Sequence, residues 1–466
     1  MAQDEVYREL GEAAWAWVAS QVRGDDGPWL PAVPGEEPPA GPDADRDSLY
    51  AGIAGLAPVL AEIGRCRALT GAEQALAAGI VSRLSAMAVT RAEPSLYDGL
   101  AGDVTALKLL APGRERVALA RLAELMTPDG WPSTLGIEPD SAAPVTDLVC
   151  GSAGVVLAAI WAGGQDAAGE DAATVAAGGG EALLRAADQA AGGLDWGMRP
   201  GSPSRNPNYS HGTAGVATAL AVAGAALGRA DFTTAARDGA RHLLAVGSLT
   251  DEGFTIPHTL PSSRRDVEPV TYTWCHGPAG TSQLFAALAH AGVDRVAGHE
   301  VTRLRELCLD AILASGVPRR LRPGFWDNDG RCCGTAGVGD VLLDAAQDCA
   351  LLDDPQDCAD PARASRLLAA ARTMADALVE RAIRGQAGAC WRFTEHRQDP
   401  PLLPAGTSWM QGAAGIAAFL LRLARVLRDG LTAPVVDRPD QWWAVPARLR
   451  TVHGPLSLRS RGAQSA

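Results

Sequence analysis

Strand signals are scarce in this chain. Aromatic residues make up 5% of it, and stretches in which apolar and polar residues alternate are few, which argues against an architecture built on sheets. Long hydrophobic runs are missing too. Gly, Asp or Arg interrupts each apolar stretch before it reaches the roughly 20 residues a membrane span needs. The opening residues, Met1-Ala2-Gln3-Asp4-Glu5, lack the basic segment of a secretion signal, so the expected location is cytoplasmic. Positive charge is in deficit: the net charge is −13, and an acidic surface disfavours nucleic acid as a partner. Nine cysteines is an odd number, and without a secretion signal they read as thiols rather than a disulfide framework. Cys66, Cys308, Cys349, Cys358 and Cys390 lie in ordinary helical or loop contexts and read as incidental.

What the chain does have is a repeat. Gly-x-x-Gly running straight into an apolar segment begins at Gly52, Gly99, Gly151, Gly212, Gly277, Gly334 and Gly412, seven copies that subtraction places 47, 52, 61, 65, 57 and 78 residues apart. Each spacing fits two helices and two connections. A length of 466 residues, which at about 150 per domain suggests two or three domains, is therefore read as one. After each turn comes a run of small apolar residues, such as Val155 to Ile160, Ala217 to Val222 or Ile416 to Leu421. A helix apolar on all sides is a buried helix. Between these runs lie charged, amphipathic stretches, for example Ala235 to Leu244 and Ala362 to Arg372, which suit outer helices with one dry face. The expected fold is all-α: an α/α toroid, a double-layer barrel of seven inner and seven outer helices, with the glycine turns gathered around one pocket at one end. A first helix is expected around Tyr7 to Arg23, then a Pro/Gly-rich loop over 27–47. Ala162 to Gly193 is low in complexity, with an outer helix expected near Glu181 to Ala191, and the tail 454–466 is expected to be flexible.

Two of the loops carry chemistry. Thr273-Trp274-Cys275-His276-Gly277 and Gly330-Arg331-Cys332-Cys333-Gly334 each put a cysteine two places ahead of the turn, beside a helix N-terminus whose partial positive charge favours ionised sulfur. Cys275, Cys332 and Cys333 thus offer three thiolates from equivalent loops, the donor set of a zinc site that keeps its fourth position open. The competing reading is three buried thiols tolerated by tight turns.

These motifs, together with Ser210-His211-Gly212 and Asp147-Leu148-Val149-Cys150-Gly151, resemble the LanC-like lanthionine cyclase family over essentially the whole chain. The resemblance implies an α/α toroid with one zinc per chain, its ligands falling on Cys275, Cys332 and Cys333. Most members carry histidine at the last of these places; this chain is similar to the Cys-Cys-Gly subgroup. The implied reaction is Michael-type addition of peptide cysteine thiols to dehydroalanine or dehydrobutyrine, which forms (methyl)lanthionine thioether rings in a ribosomally synthesised peptide. Addition produces an enolate that must be protonated, and His211 is the candidate acid. Asp147 either serves catalysis, orienting or polarising His211 or assisting proton transfer, or caps a helix. His276 either hydrogen-bonds the enolate oxygen or packs. Some members have an arginine where this chain has Thr271, so its role moves to Arg331, which is then expected to contact the substrate, or is absent. Asp98 and Gln411, each just ahead of a glycine turn, are expected at the pocket as caps or substrate contacts. Neither a kinase signature nor a phosphate loop followed by lysine occurs. The expected partner is therefore a precursor peptide already dehydrated by a separate dehydratase or kinase/lyase. Two alternatives stand beside this reading: addition of glutathione or another small thiol to dehydroamino acids, and a non-catalytic peptide-binding toroid. A toroidal glycosidase is disfavoured, because the loops offer sulfur and imidazole where paired carboxylates are needed.

Overall fold

Each glycine turn starts a helix, and each such helix is followed by an amphipathic partner. The computed structural model describes residues 3–24, 27–35, 45–133, 144–163, 169–261, 269–319, 328–351, 361–394 and 400–441. Helix α1 (Gln3–Gln21) precedes α2 (Leu56–Cys66) and α3 (Gly71–Met87), α4 (Leu100–Leu110) and α5 (Arg116–Leu125), and α6 (Ser152–Gly163) and α7 (Gly169–Arg185). Then come α8 (Thr213–Leu227) and α9 (Ala230–Val246), α10 (Pro278–His290) and α11 (Val301–Ala314), α12 (Thr335–Leu351) and α13 (Pro361–Arg381), and finally α14 (Ala413–Asp429). The even-numbered helices form an inner ring in which each touches the next and α14 packs back against α2. Odd-numbered helices form the outer layer, and α1 returns to cover α14. Seven inner and seven outer helices are thus present among the described residues, as the repeat predicts. Helix α8 shows why the layers sort: Thr213 through Gly224 are all buried. Its partner α9 buries Phe232, Ala235, Ala236, Gly239, Ala240 and Leu243 and leaves Arg237 and Arg241 in solvent, a dry stripe at helical spacing.

At the loop end the seven repeats join through their backbones. The residue two places ahead of each turn donates its N–H to the carbonyl of its counterpart in the next repeat. The chain of bonds runs Tyr50 to Tyr97 (2.9 Å), Tyr97 to Val149 (3.3 Å), Val149 to Ser210 (3.2 Å), Ser210 to Cys275 (3.1 Å), Cys275 to Cys332 (3.1 Å), Cys332 to Met410 (2.8 Å) and Met410 back to Tyr50 (3.2 Å). This closed circle fixes the register of every loop. The glycines are there for space: a Cβ on Gly280 would lie 2.0 Å from the Trp274 carbonyl oxygen, and one on Gly277 would lie 2.5 Å from that of Thr271.

After α14 the chain turns back inside the ring. Gln347 of α12 donates to the carbonyls of Leu431 (3.0 Å) and Ala433 (2.9 Å), Trp161 of α6 donates to Asp437 (3.0 Å), and the Tyr209 hydroxyl donates to the Asp440 carbonyl (3.2 Å). Because α6 and α12 belong to well-separated parts of the ring, a segment that bonds both lies in its interior and climbs toward the loops.

Three expectations need adjustment. The outer helix expected at Glu181 to Ala191 is α7, which ends at Arg185 and takes in the glycine run. Those glycines allow close packing: a Cβ on Gly180 would lie 2.4 Å from the Phe232 ring, and one on Gly179 2.6 Å from Val156. The first helix runs Gln3–Gln21 rather than to Arg23. Strand is not absent either. Five two-stranded ladders occur among the described residues, including Asp188–Ala190 with Gly193–Asp195 and Ser248–Thr250 with Gly253–Thr255. Arms of three residues are too short to show an alternating pattern. Residues 36–44 of the 27–47 loop, and the whole tail 454–466, lie outside the described residues.

Candidate functional site

The backbone circle makes Cys275 and Cys332 neighbours, although 57 residues separate them by subtraction. Cys333 follows one place nearer its turn, and the three sulfurs lie within 4.8 Å of one another. A tetrahedral zinc with bonds of about 2.3 Å spaces its sulfurs roughly 3.8 Å apart, so the triad is compact enough to suit such an ion. Electrostatics point the same way. Hydrogen bonds from Cys275, from Cys333 and from the Tyr50 phenol hold Cys332 well below the ordinary thiol range. Cys275, which gives its proton to that arrangement, is pushed well above it by Cys332, by Cys333 and by burial. The triad therefore already stabilises negative charge on sulfur. Tyr50 occupies the same place in its own repeat as Cys275 and Cys332 do in theirs.

An imidazole cluster adjoins the sulfurs. In four repeats the residue four places ahead of the turn caps its own loop: Ser48 accepts from Ala51 N (3.0 Å), Thr273 from His276 N (3.2 Å), Ser408 from Gln411 N (3.2 Å) and Asp147 Oδ1 from Cys150 N (2.6 Å). A carboxylate has a second oxygen. Asp147 Oδ2 bonds His211 Nδ1 at 2.7 Å, so Asp147 both caps its loop and orients the imidazole, which the sequence leaves as alternatives. Burial pushes His211 down, but the bond to Asp147 and the nearby charges of Asp147 and Cys332 outweigh it and leave the imidazole above its ordinary value. His276 goes the other way. Burial first, then the neighbouring His258 and His211, hold it well below the usual range. The two rings stand 5.7 Å apart, and His258 stacks on His276 at 4.1 Å with 9° between planes. Groups whose surroundings push their pKa values apart divide acid and hydrogen-bonding roles between them.

Asp98 and Gln411 sit half-buried at the place that His211, His276 and Cys333 occupy in their repeats. Arg331 does not join them. It is 3% exposed, is bonded to Asp340 and Gln441, and lies over the Trp409 ring at 4.4 Å. Its place, three ahead of the turn, holds Leu49, Leu96, Leu148, Tyr209, Trp274 and Trp409 in the other repeats, all buried. The substrate contact expected of Arg331 thus has almost no surface to act through. Thr271 donates to the His276 carbonyl at 2.9 Å and holds that loop. Among residues the sequence reading passed over, Cys150 and Tyr50 share register with the candidate residues. His258 stands outside the repeat, where no pattern marks it.

Among the described residues no helix is long and apolar enough to cross a membrane. No curated protein shows significant sequence similarity to the chain. Among solved structures, nisin cyclase is similar at 15% identity and a TM-score of 0.49, over 81% of this chain and 88% of that one. An unsaturated glucuronyl hydrolase from Bacillus sp. GL1 is similar at 14% identity and a TM-score of 0.45, over 91% of this chain and 97% of that one. At these scores neither bears on activity or substrate. The profile for "Lanthionine synthetase C-like protein" matches residues 43–427, and the chain belongs to that family.

Proposed function

We propose that the chain is a zinc-dependent cyclase that adds cysteine thiols of a dehydrated peptide to dehydroalanine or dehydrobutyrine and so closes thioether rings. The observation that carries this reading is the convergence of Cys275, Cys332 and Cys333 beside an imidazole held by Asp147. Zinc bound by the three sulfurs would supply a place where a peptide thiol is ionised near neutral pH and, because three thiolates leave the centre formally −1, stays electron-rich.

The remaining work falls to the chain's own side chains. As the peptide sulfur bonds to the β-carbon, the carbon–carbon π bond breaks and its electron pair moves onto the enolate. His211, with Nδ1 engaged by Asp147, presents Nε2 and gives its proton to the α-carbon; the proton lost by the next peptide thiol recharges it. His276, kept neutral, suits a hydrogen bond to the enolate oxygen rather than proton donation. The precursor peptide must arrive dehydrated by a separate enzyme. Asp98 and Gln411 are in register to contact it.

Metal analysis tests the core of this reading: wild type should hold one zinc per chain and Cys275→Ala none. An equal zinc content in the two chains would sink it. A dehydrated peptide with a free cysteine should lose its thiol without change of mass, which a purely peptide-binding toroid does not achieve.

A pH profile tests the acid. Asp147 raises the His211 pKa, so activity should persist to higher pH than an unassisted imidazole allows and fall as His211 loses its proton. Asp147→Asn removes the two larger raising influences and leaves burial, which lowers the pKa, opposed only by the charge of Cys332. The alkaline limb of kcat should move to lower pH, with zinc content unchanged. A limb that stays in place would assign the titration to another group.

A further inference from the structure

The sulfur triad is not the one group of metal-type donors at the loop end. Asp147, Cys150 and His211 also bring a carboxylate oxygen, a sulfur and an imidazole nitrogen within 4.8 Å of one another, and they share no residue with the triad. We infer that these three form a second, weaker cation site of the zinc type, and that filling it takes His211 out of use as an acid.

The donors are fixed from two neighbouring loops. Val149 N donates to the Ser210 carbonyl at 3.2 Å, which locks the loop of Asp147 and Cys150 against that of His211. Within the first loop, Cys150 N donates to Asp147 Oδ1 at 2.6 Å, which sets the sulfur beside the carboxylate. Asp147 Oδ2 and His211 Nδ1 stand 2.7 Å apart with a proton between them. A cation that replaces this proton keeps both partners and gains the sulfur. One nitrogen, one sulfur and one oxygen suit zinc or cobalt and do not suit magnesium or calcium, which take oxygen. Three ligands leave a fourth position open. Cys150 is 9% exposed, and burial, followed by the charge on Asp147, pushes its thiol far up. A bare thiolate is therefore disfavoured there, and a cation supplies the charge that lets the sulfur ionise. His211, with a side chain 28% exposed, is the group through which an ion can enter.

The consequence for turnover rests on the proposed role of His211; the binding itself does not. An imidazole that ligates a metal through Nδ1 in place of Asp147 loses the partner that keeps it charged and has no proton to give at neutral pH. Free zinc beyond one equivalent should then slow cyclisation by filling this site.

The full-length chain carrying one zinc per molecule is titrated with further Zn²⁺ against a chromophoric chelator, and in parallel with Co²⁺. Wild type should take up a second equivalent more weakly than the first. With Co²⁺, that second equivalent should show its own sulfur-to-metal charge-transfer band. In Cys150→Ala the band should vanish and the second equivalent bind about tenfold more weakly or worse, since even loss of an outer-shell partner costs 10–100-fold; the first equivalent should be retained. Each chain's rate, normalised to its own value at one equivalent, should fall with excess zinc in wild type and resist it in Cys150→Ala. A second equivalent missing from wild type, or bound equally well by Cys150→Ala, overturns the inference. Failure of the sulfur triad is read separately, from loss or persistence of the first equivalent in Cys275→Ala.

Discussion

Replacing His211 by asparagine is expected to slow ring closure by about 10²- to 10⁴-fold, the usual worth of a positioned acid, while zinc remains at one per chain. Asparagine keeps a polar group within reach of Asp147 Oδ2, now 2.7 Å from the imidazole, so the loop should hold its place and the metal its ligands. What is lost is the proton. His276 cannot replace it: burial first, and then the adjacent His258, still hold that ring below the ordinary range when His211 is gone, so at neutral pH it carries no proton to spare. The measurement is single-turnover loss of free thiol in a dehydrated peptide, with peptide affinity taken alongside. A fall in kcat with little change in affinity marks a group used in the chemical step. A loss smaller than tenfold would mean that water or another residue protonates the enolate, and His211 would then be a positioning residue.

The register of the repeat makes most of the site legible in the sequence. Once seven glycine turns are aligned, the same places recur around the circle, and their side chains separate by depth. Two ahead of the turn the residues are mostly buried, as Cys275 and Cys332 are, whereas one ahead they are mostly half-buried, as His211, His276 and Cys333 are. Because both cysteine-bearing loops belong to adjacent repeats, sulfurs remote in sequence had to meet. The same alignment explains the misplaced arginine: three ahead of the turn is a core position, and adjacency to Cys332 in sequence says nothing about direction. His258 stayed hidden because its contact with His276 is a stack between a repeat loop and a connector with no periodicity. The interior course of residues 431–441 was equally illegible. It depends on Gln347, Trp161 and Tyr209, on three separate repeats, finding one strand of chain.

That interior segment makes Asp340→Asn the substitution with the largest expected effect on stability, a loss of roughly 3–5 kcal/mol, as when one partner of a buried ion network is removed. Asp340 is 2% exposed and takes bonds from three arginines: Arg331 of the Cys332 loop, Arg422 of α14 at 2.5 Å and Arg438 of the interior segment at 3.2 Å. Arg422 has a further anion in Asp344 at 2.6 Å, and Arg438 has Asp440 at 3.6 Å. Arg331, by contrast, is left with Gln441 at 3.2 Å, the face of Trp409 and the unbonded charge of Asp440. Neutralising Asp340 therefore strands positive charge on Arg331, the residue that precedes Cys332. Burial pushes Asp340 up, yet the three arginines outweigh it and hold the carboxyl far below the usual range. A depressed native pKa gives stability that is complete above the unfolded carboxylate value and is lost as the pH falls through the native one. The wild type should accordingly keep this contribution at mildly acidic pH. Denaturant unfolding at neutral pH should show a lower midpoint for Asp340→Asn. Zinc should be released at lower denaturant than in wild type, because Arg331 anchors the loop that carries two of the three sulfurs. A variant with unchanged midpoint would show that the arginines find solvent, and that the segment inside the ring is not held by charge.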